Sequence, residues 1–156
     1  MNAATTSKAA APQGCTSFKV RQLMRLVSQH YDAEVSQCGL RTTQYSLLSH
    51  VIKLGPMRPM DLAAAMKMTA STLSRNLQPL VAAGWVALGA GADGRSRLVE
   101  ITDAGVAKRR EAQRHWKVAQ QKLNARLGVE RVAALHALID ESLALLGADA
   151  EEGADA

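Results

Sequence analysis

From residue 16 to residue 37, the apolar positions Phe18, Val20, Leu23, Leu26, Val27, Tyr31 and Val35 return at steps of three and four. That spacing predicts an amphipathic helix. Gly39 stops it, and Thr42 or Thr43 caps a second helix carrying Tyr45, Leu47, Leu48, Val51, Ile52 and Leu54. Gly55 and Pro56 end that one. A short helix over 60–67 follows, with Pro59 in its first turn, Asp61 near its positive end, and Leu62, Ala63 and Met66 turned inward. After a tight turn at Met68, Thr69 caps a fourth helix, which Pro79 should bend and Gly84 closes. The period then changes. Two short apolar runs, 85–89 and 97–101, flank Gly91-Ala92-Asp93-Gly94, whose residues supply turn chemistry, and together they predict a β-hairpin. Thr102 and Asp103 open a long helix to about Leu127, with Trp116, Ala119 and Leu123 on one side. Gly128 breaks it. Val132, Leu135, Ile139, Leu143 and Leu146 form one stripe on a last helix.

The pattern defines a mainly α fold with a small β-hairpin wing, a winged helix-turn-helix with long terminal helices. The third and fourth helices, joined by a short turn, are the helix-turn-helix unit. Ser71, Thr72, Ser74, Arg75, Asn76 and Gln78 cluster on the fourth helix, and 71, 72, 75 and 76 share a face. Arginine reads guanine and asparagine or glutamine reads adenine through paired hydrogen bonds, while hydroxyl groups more often hold phosphates. Arg95, at the hairpin tip, suits minor-groove insertion, and Arg97 suits a phosphate contact. The implied partner is double-stranded DNA. A compact winged helix does not need the first helix and the last two, so their surplus apolar surface predicts a homodimer. A twofold dimer would set its recognition helices about 34–36 Å apart on a pseudo-palindromic site. The domain plan is a disordered tail over 1–15, a winged-helix domain over 16–147, and an acidic disordered tail over 148–156. Within the domain, 42–102 bind DNA, while 16–37 and 103–147 dimerise.

Composition agrees with this plan. Hydrophobic residues make up 47% of the 156 residues and aromatics 3%, so the core is aliphatic, as suits packed helices. The formal charge is +5, and the segment 147–156 holds four acids (Asp149, Glu151, Glu152, Asp155) and no base. Without it, 19 bases face ten acids, a basic body suited to a polyanion. No apolar run approaches a membrane span and the N-terminus lacks an apolar signal core, so a cytoplasmic protein is expected. Phosphate loops, Cys-x-x-Cys pairs and nucleophile elbows are missing, which argues against an enzyme. No cofactor is implied.

The run Asp93-Gly-Arg-Ser-Arg-Leu-Val-Glu-Ile-Thr-Asp-Ala-Gly105 resembles the wing signature of the MarR (multiple antibiotic resistance regulator) family. Gly39-Leu-Arg-Thr-Thr-Gln-Tyr45 resembles that family's entry into its second helix. The resemblance spans roughly 18–146. It implies a homodimeric DNA-binding regulator, usually a repressor released by a small ligand or by oxidation. It also implies that Asp93 orients the wing arginines.

The same resemblance implies an effector pocket between the first, second and fifth helices at the dimer interface, for a ligand such as an aromatic acid. His30, Tyr31, Tyr45 and His50 could line it, with Arg21 or Arg25 pairing an anion. Cys15 resembles, in position, the reactive cysteine of the hydroperoxide-sensing branch, and Tyr31 lies where that branch keeps a tyrosine near the thiol. A positive helix end and Lys19 would favour the thiolate there. The surroundings of Cys15 depart from that branch, and an incidental thiol is the alternative. About 35 Å of helix would separate Cys15 from Cys38, which argues against an intrachain disulfide, leaves a bond across the dimer open and favours Cys38 as a small buried hydrophobe. Glu111 and His115 share a face, with His50 able to approach, but no His-x-x-x-His pair accompanies them and no metal is expected.

Overall fold

The computed structural model describes the backbone of residues 11–91 and 96–152, and side chains up to residue 147. Its elements run α1 (Thr16–Val35), a 3-10 turn (Ser36–Cys38), α2 (Thr42–Leu54), α3 (Pro59–Ala65), α4 (Ala70–Ala82), β1 (Val86–Ala90), β2 (Arg97–Ile101), α5 (Asp103–Leu127) and α6 (Val129–Glu152). β1 and β2 pair antiparallel, with Val86 opposite Ile101 and Ala90 opposite Arg97. This is the mainly helical fold with a hairpin wing that the pattern predicts.

The core sits where α2, α3, α4 and the hairpin meet. Leu47, Leu48, Val51, Leu62, Leu73, Leu80, Val86 and Val99 are fully buried there. On α4 the buried side chains are Leu73, Leu77 and Leu80, at the i, i+4, i+7 spacing of one helical face. That face fixes which residues of α4 are left outside.

Three details differ from the sequence reading. Neither Thr42 nor Thr43 caps α2. Asp32, on α1, accepts hydrogen bonds at 2.7 Å from both the Thr42 backbone N–H and the Thr42 hydroxyl. A carboxylate at a helix N-terminus meets unsatisfied N–H groups and the positive end of the dipole, so α1 caps α2 from across the fold. Second, Met57 joins the hairpin as a bridge to Val99, with its N–H donating at 3.3 Å and its carbonyl accepting at 2.8 Å. One residue after Pro56 carries no periodic signal. Third, α6 continues to Glu152, so the segment assigned to an acidic tail from residue 148 begins inside a helix. Ala148, Ala150 and Glu151 are good helix formers, and no proline intervenes.

The turn between α3 and α4 is tightest at Lys67, whose φ of 53° lies in the left-handed region. The Met68 N–H reaches back to the Ala63 carbonyl at 2.9 Å, a closing pattern typical of helix C-termini.

α5 starts against the base of the wing. The Thr102 side chain accepts from the Gly105 N–H at 3.0 Å and donates to the Gly84 carbonyl at 2.7 Å. Its own N–H donates to the Trp85 carbonyl at 3.2 Å. One threonine thus joins the end of α4, the root of β1 and the first turn of α5. Gly105 is buried, and a Cβ there would overlap the Trp85 carbonyl oxygen and crowd the Ile101 side chain.

α1, α5 and α6 form the other layer. α1 packs on α5 and touches α2. The outer surface of this layer is apolar and open: Phe18, Val20, Met24 and Leu26 on α1, and Leu138, Leu143, Leu145 and Leu146 on α6, are exposed. No helix among the described residues is long and apolar enough to cross a membrane.

Candidate nucleic-acid interface

With Leu73, Leu77 and Leu80 turned inward, α4 presents Ser71, Thr72 and Arg75 to solvent, and Asn76 sits half-buried beside them. The N-terminus of α4 carries a hydroxyl cluster. Thr69 Oγ1 accepts from the Thr72 N–H at 3.2 Å, donates to Thr72 Oγ1 at 2.9 Å and lies 3.1 Å from Ser71 Oγ. Thr69 caps the helix as the sequence predicts, and its cap orders the two hydroxyls that follow. Arg75 is exposed one turn further on.

Ser74 and Gln78 take a different direction. They line the rim of an apolar groove of about 420 Å³ bounded by Pro59, Met60, Leu73, Leu77, Val81 and Leu88. The six polar residues of α4 therefore divide into two sets. Ser71, Thr72 and Asn76 sit with Arg75, and the other two border the seam that α4 makes with α3 and β1. Spacing alone did not separate them, because Ser74 and Gln78 are also exposed.

On the wing, Arg97 is exposed at the start of β2. Asp93 and Arg95, assigned above to the hairpin tip, lie outside the described residues, as do Ala92 and Gly94. Gly91 and Ser96 close the described part, with the Gly91 N–H donating to the Ser96 carbonyl at 2.7 Å.

Sequence reasoning missed the N-terminus of α2. Arg41 and Thr43 are exposed there, beside N–H groups of the helix start. The Arg41 N–H donates to Gln44 Oε1 at 2.8 Å. An amphipathic period marks inward residues and is silent on which helix end faces a ligand.

The residues assigned to an effector pocket divide: Tyr45 packs on Trp116, while His30, Tyr31 and His50 make packing or hydrogen-bond contacts and also border open cavities. His30 Nε2 donates to the Ala119 carbonyl at 2.8 Å. The Tyr31 hydroxyl donates to Gln120 Oε1. Trp116 stacks between Tyr31 and Tyr45, with centroids 6.3 and 6.2 Å away. Burial raises the Tyr31 pKa above the usual phenol value. These rings fill the junction of α1, α2 and α5, where well-packed aromatics add stability beyond their buried area. Arg21 and Arg25 are exposed on α1. His50 Nδ1 donates to the Ser46 carbonyl at 2.8 Å, within its own helix. A separate cavity of about 290 Å³ opens between α1, α5 and α6, with Tyr31, Leu123, Leu135 and His136 in its wall.

Cys15 is exposed and occupies the N-cap position of α1. Tyr31 is sixteen residues further along, about 24 Å at the rise of an α-helix, so one protomer does not bring the pair together. Cys38 is buried and donates to the Val35 carbonyl at 3.1 Å. Among the described residues, no three of His, Cys, Asp and Glu are grouped to hold a metal ion.

A polar, Arg-bearing helix beside a two-stranded wing defines the winged helix-turn-helix fold. The model of the MarR family matches residues 39–96, from the entry to α2 into the hairpin. A curated relative, the uncharacterized HTH-type transcriptional regulator YwoH of Bacillus subtilis (strain 168), is 28% identical over 93 residues, 60% of this chain and 68% of that one. Among solved structures, the fold is similar to a mutant of MarR from E. coli complexed with operator DNA. The TM-score is 0.74 and the identity 21%, over 81% of this chain and 92% of that one. It is also similar to the transcriptional repressor CouR bound to a 23-mer DNA duplex, with a TM-score of 0.75 and 17% identity, over 81% and 91% of the two chains. The match to the family model is confined to residues 39–96, the helix-turn-helix unit and the first part of the hairpin. The chain's matches are transcriptional regulators, not enzymes.

Proposed function

We propose that the chain is a homodimeric repressor that binds a pseudo-palindromic operator and is released by a small ligand. α4 enters the major groove, Arg75 and Asn76 read base edges, and the hydroxyls of Ser71 and Thr72 hold phosphates. Ser74 and Gln78 adjust the seat of α4 against α3 and β1. Arg97 contacts the backbone, and Asp93 and Arg95 carry the wing tip. Arg41 and Thr43, at the start of α2, are further phosphate contacts. The observation that carries this reading is the split of α4, which buries three leucines and offers hydroxyls and Arg75 to solvent. The DNA complexes of MarR and CouR support it by analogy of fold. The exposed apolar faces of α1 and α6 support the dimer.

The test is a fluorescence-anisotropy titration with the promoter fragment upstream of the chain's own gene, repeated over a salt series. Binding should weaken steeply with salt, with a linear log–log slope that reports released counterions. A slope near zero, or equal affinity for scrambled duplex, would remove specific DNA recognition from the reading.

A further inference from the structure

We propose that Asp32 is a positioning residue for DNA binding: from α1 it holds the start of α2 so that Arg41 and the Thr43 N–H meet one phosphate of the operator backbone. The inference rests on the reading above that Arg41 and Thr43 contact phosphate, and adds the residue that puts them in place.

Arg41 occupies the N-cap position of α2 in extended conformation, with φ −89° and ψ 156°. A guanidinium has donors and no acceptor, so Arg41 cannot cap its own helix. Asp32 does so from ten residues upstream. One carboxylate oxygen, Oδ1, accepts from both the N–H and the hydroxyl of Thr42, each at 2.7 Å. The third N–H of the helix, on Gln44, donates to the Arg41 carbonyl at 3.0 Å. Between them the Thr43 N–H has no hydrogen-bond partner among the described residues. Neither ion pair among those residues, Lys108–Glu111 or Lys122–Glu34, takes Arg41. The first turn of α2 therefore keeps one N–H and one exposed guanidinium in reserve, and an N–H beside a cation suits a phosphate oxygen.

The chain between Asp32 and Thr42 has no slack. Val35, Cys38 and Leu40 are buried, and Gly39 turns with a left-handed φ of 77°. The middle of this connection is pinned by burial and its far end by Asp32, so α2 starts where α1 dictates. α1 also carries part of the exposed apolar face assigned to the dimer. Asp32 is then the link that sets the Arg41 contacts of two protomers at one separation. Its charge opposes a phosphate, whereas its oxygen orders the contact. The two effects part in Asp32→Asn, which keeps the accepting oxygen and loses the charge.

The experiment repeats the anisotropy titration of the full chain against operator duplex over a salt series, with melting temperatures recorded alongside. Asp32→Ala should weaken binding about fivefold, the scale of a lost helix cap. It should also lower the salt slope by about 1, as the Arg41 phosphate contact is lost. Asp32→Asn should bind at least as tightly as wild type. In an Arg41→Ala background, Asp32→Ala should cost no further affinity, a result that lost stability alone would not give. Thr42→Val removes only the hydroxyl bond and should give a smaller loss, so the test stands even if Asp32→Ala folds poorly. A wild-type slope for Asp32→Ala, equal losses in both backgrounds, wild-type binding by Thr42→Val, or an Asp32→Asn variant as weak as Asp32→Ala would overturn the assignment. Wild-type protein that does not prefer operator to scrambled duplex would instead strike the DNA reading itself, and this role with it.

Discussion

The winged-helix lobe and the terminal helical layer bury their apolar residues to opposite degrees. In the lobe, Leu48, Leu62 and Leu80 are wholly enclosed within a single chain. In the layer, Leu143 on α6 is 65% exposed and Leu146 72%. Both regions have a helical apolar stripe, so the sequence pattern treats them alike. The difference shows that the lobe is complete within one chain, while the layer lacks a covering surface. A second copy is the natural cover if the dimer proposed above is right, because a closed twofold pair hides the same patch on both partners.

The largest expected effect falls on the lobe. Leu80→Ala should cost ~2–5 kcal/mol of unfolding free energy, because the cavity it leaves has no solvent to fill it. The equivalent change in the layer, Leu143→Ala, should barely alter the stability of a single chain. Leu143→Asp should instead shift the protein to monomer in sedimentation velocity while circular dichroism stays helical. If Leu143→Asp unfolds the chain, the contrast between the regions fails.

Gly105→Ala comes next, at about 1–3 kcal/mol in chemical denaturation, from overpacking at the wing base. Arg75→Ala should leave the melting temperature unchanged and weaken operator binding by ~1–3 kcal/mol, the scale of one good base contact. Unaltered affinity would move recognition off α4.

The smallest effects are electrostatic, and both sit in the layer. The Lys122 ammonium donates to Glu34 and holds its carboxyl below the ordinary range. A lowered folded value means that the pairing contributes above the unfolded carboxylate pKa and fades as pH falls through the folded one. Glu34→Gln should therefore flatten the acid limb of a melting-temperature profile slightly, since the pair is exposed. Tyr31 has the opposite sign. Its pKa is raised by burial, so its contribution is intact below the unfolded phenol value and is lost as pH climbs through the folded one. Tyr31→Phe should flatten the alkaline limb. A lobe substitution that flattened either limb equally would contradict the assignment of both groups to the layer.

Much of the fold was readable in advance because its elements are bounded by residues with one strong local meaning. Pro59 at a first turn, Thr69 and Thr102 as caps, Gly84 and Gly128 as stops all act within a few residues of themselves. What was illegible depends on distant chain. The Asp32 cap on Thr42 joins two helices, and the Met57 bridge needs β2 already in place. The candidate site shows the same limit. Periodicity put Arg75 outside on α4, yet it could not tell that Ser74 and Gln78 border a groove. Nor does periodicity tell that Tyr31 and Tyr45, brought in by family likeness, stack on either side of Trp116 from the fifth helix.

The threonine at position 102 has a consequence for how such a chain can vary. Its three hydrogen bonds weld the exit of one helix to the entrance of another, and Gly105 leaves no slack beside them. Insertions at this root would tilt the whole finger, whereas added length between Ala90 and Arg97 would leave the weld untouched. Changes in reach should therefore accumulate at the far end of the hairpin, with aim conserved at its hinge-less foot.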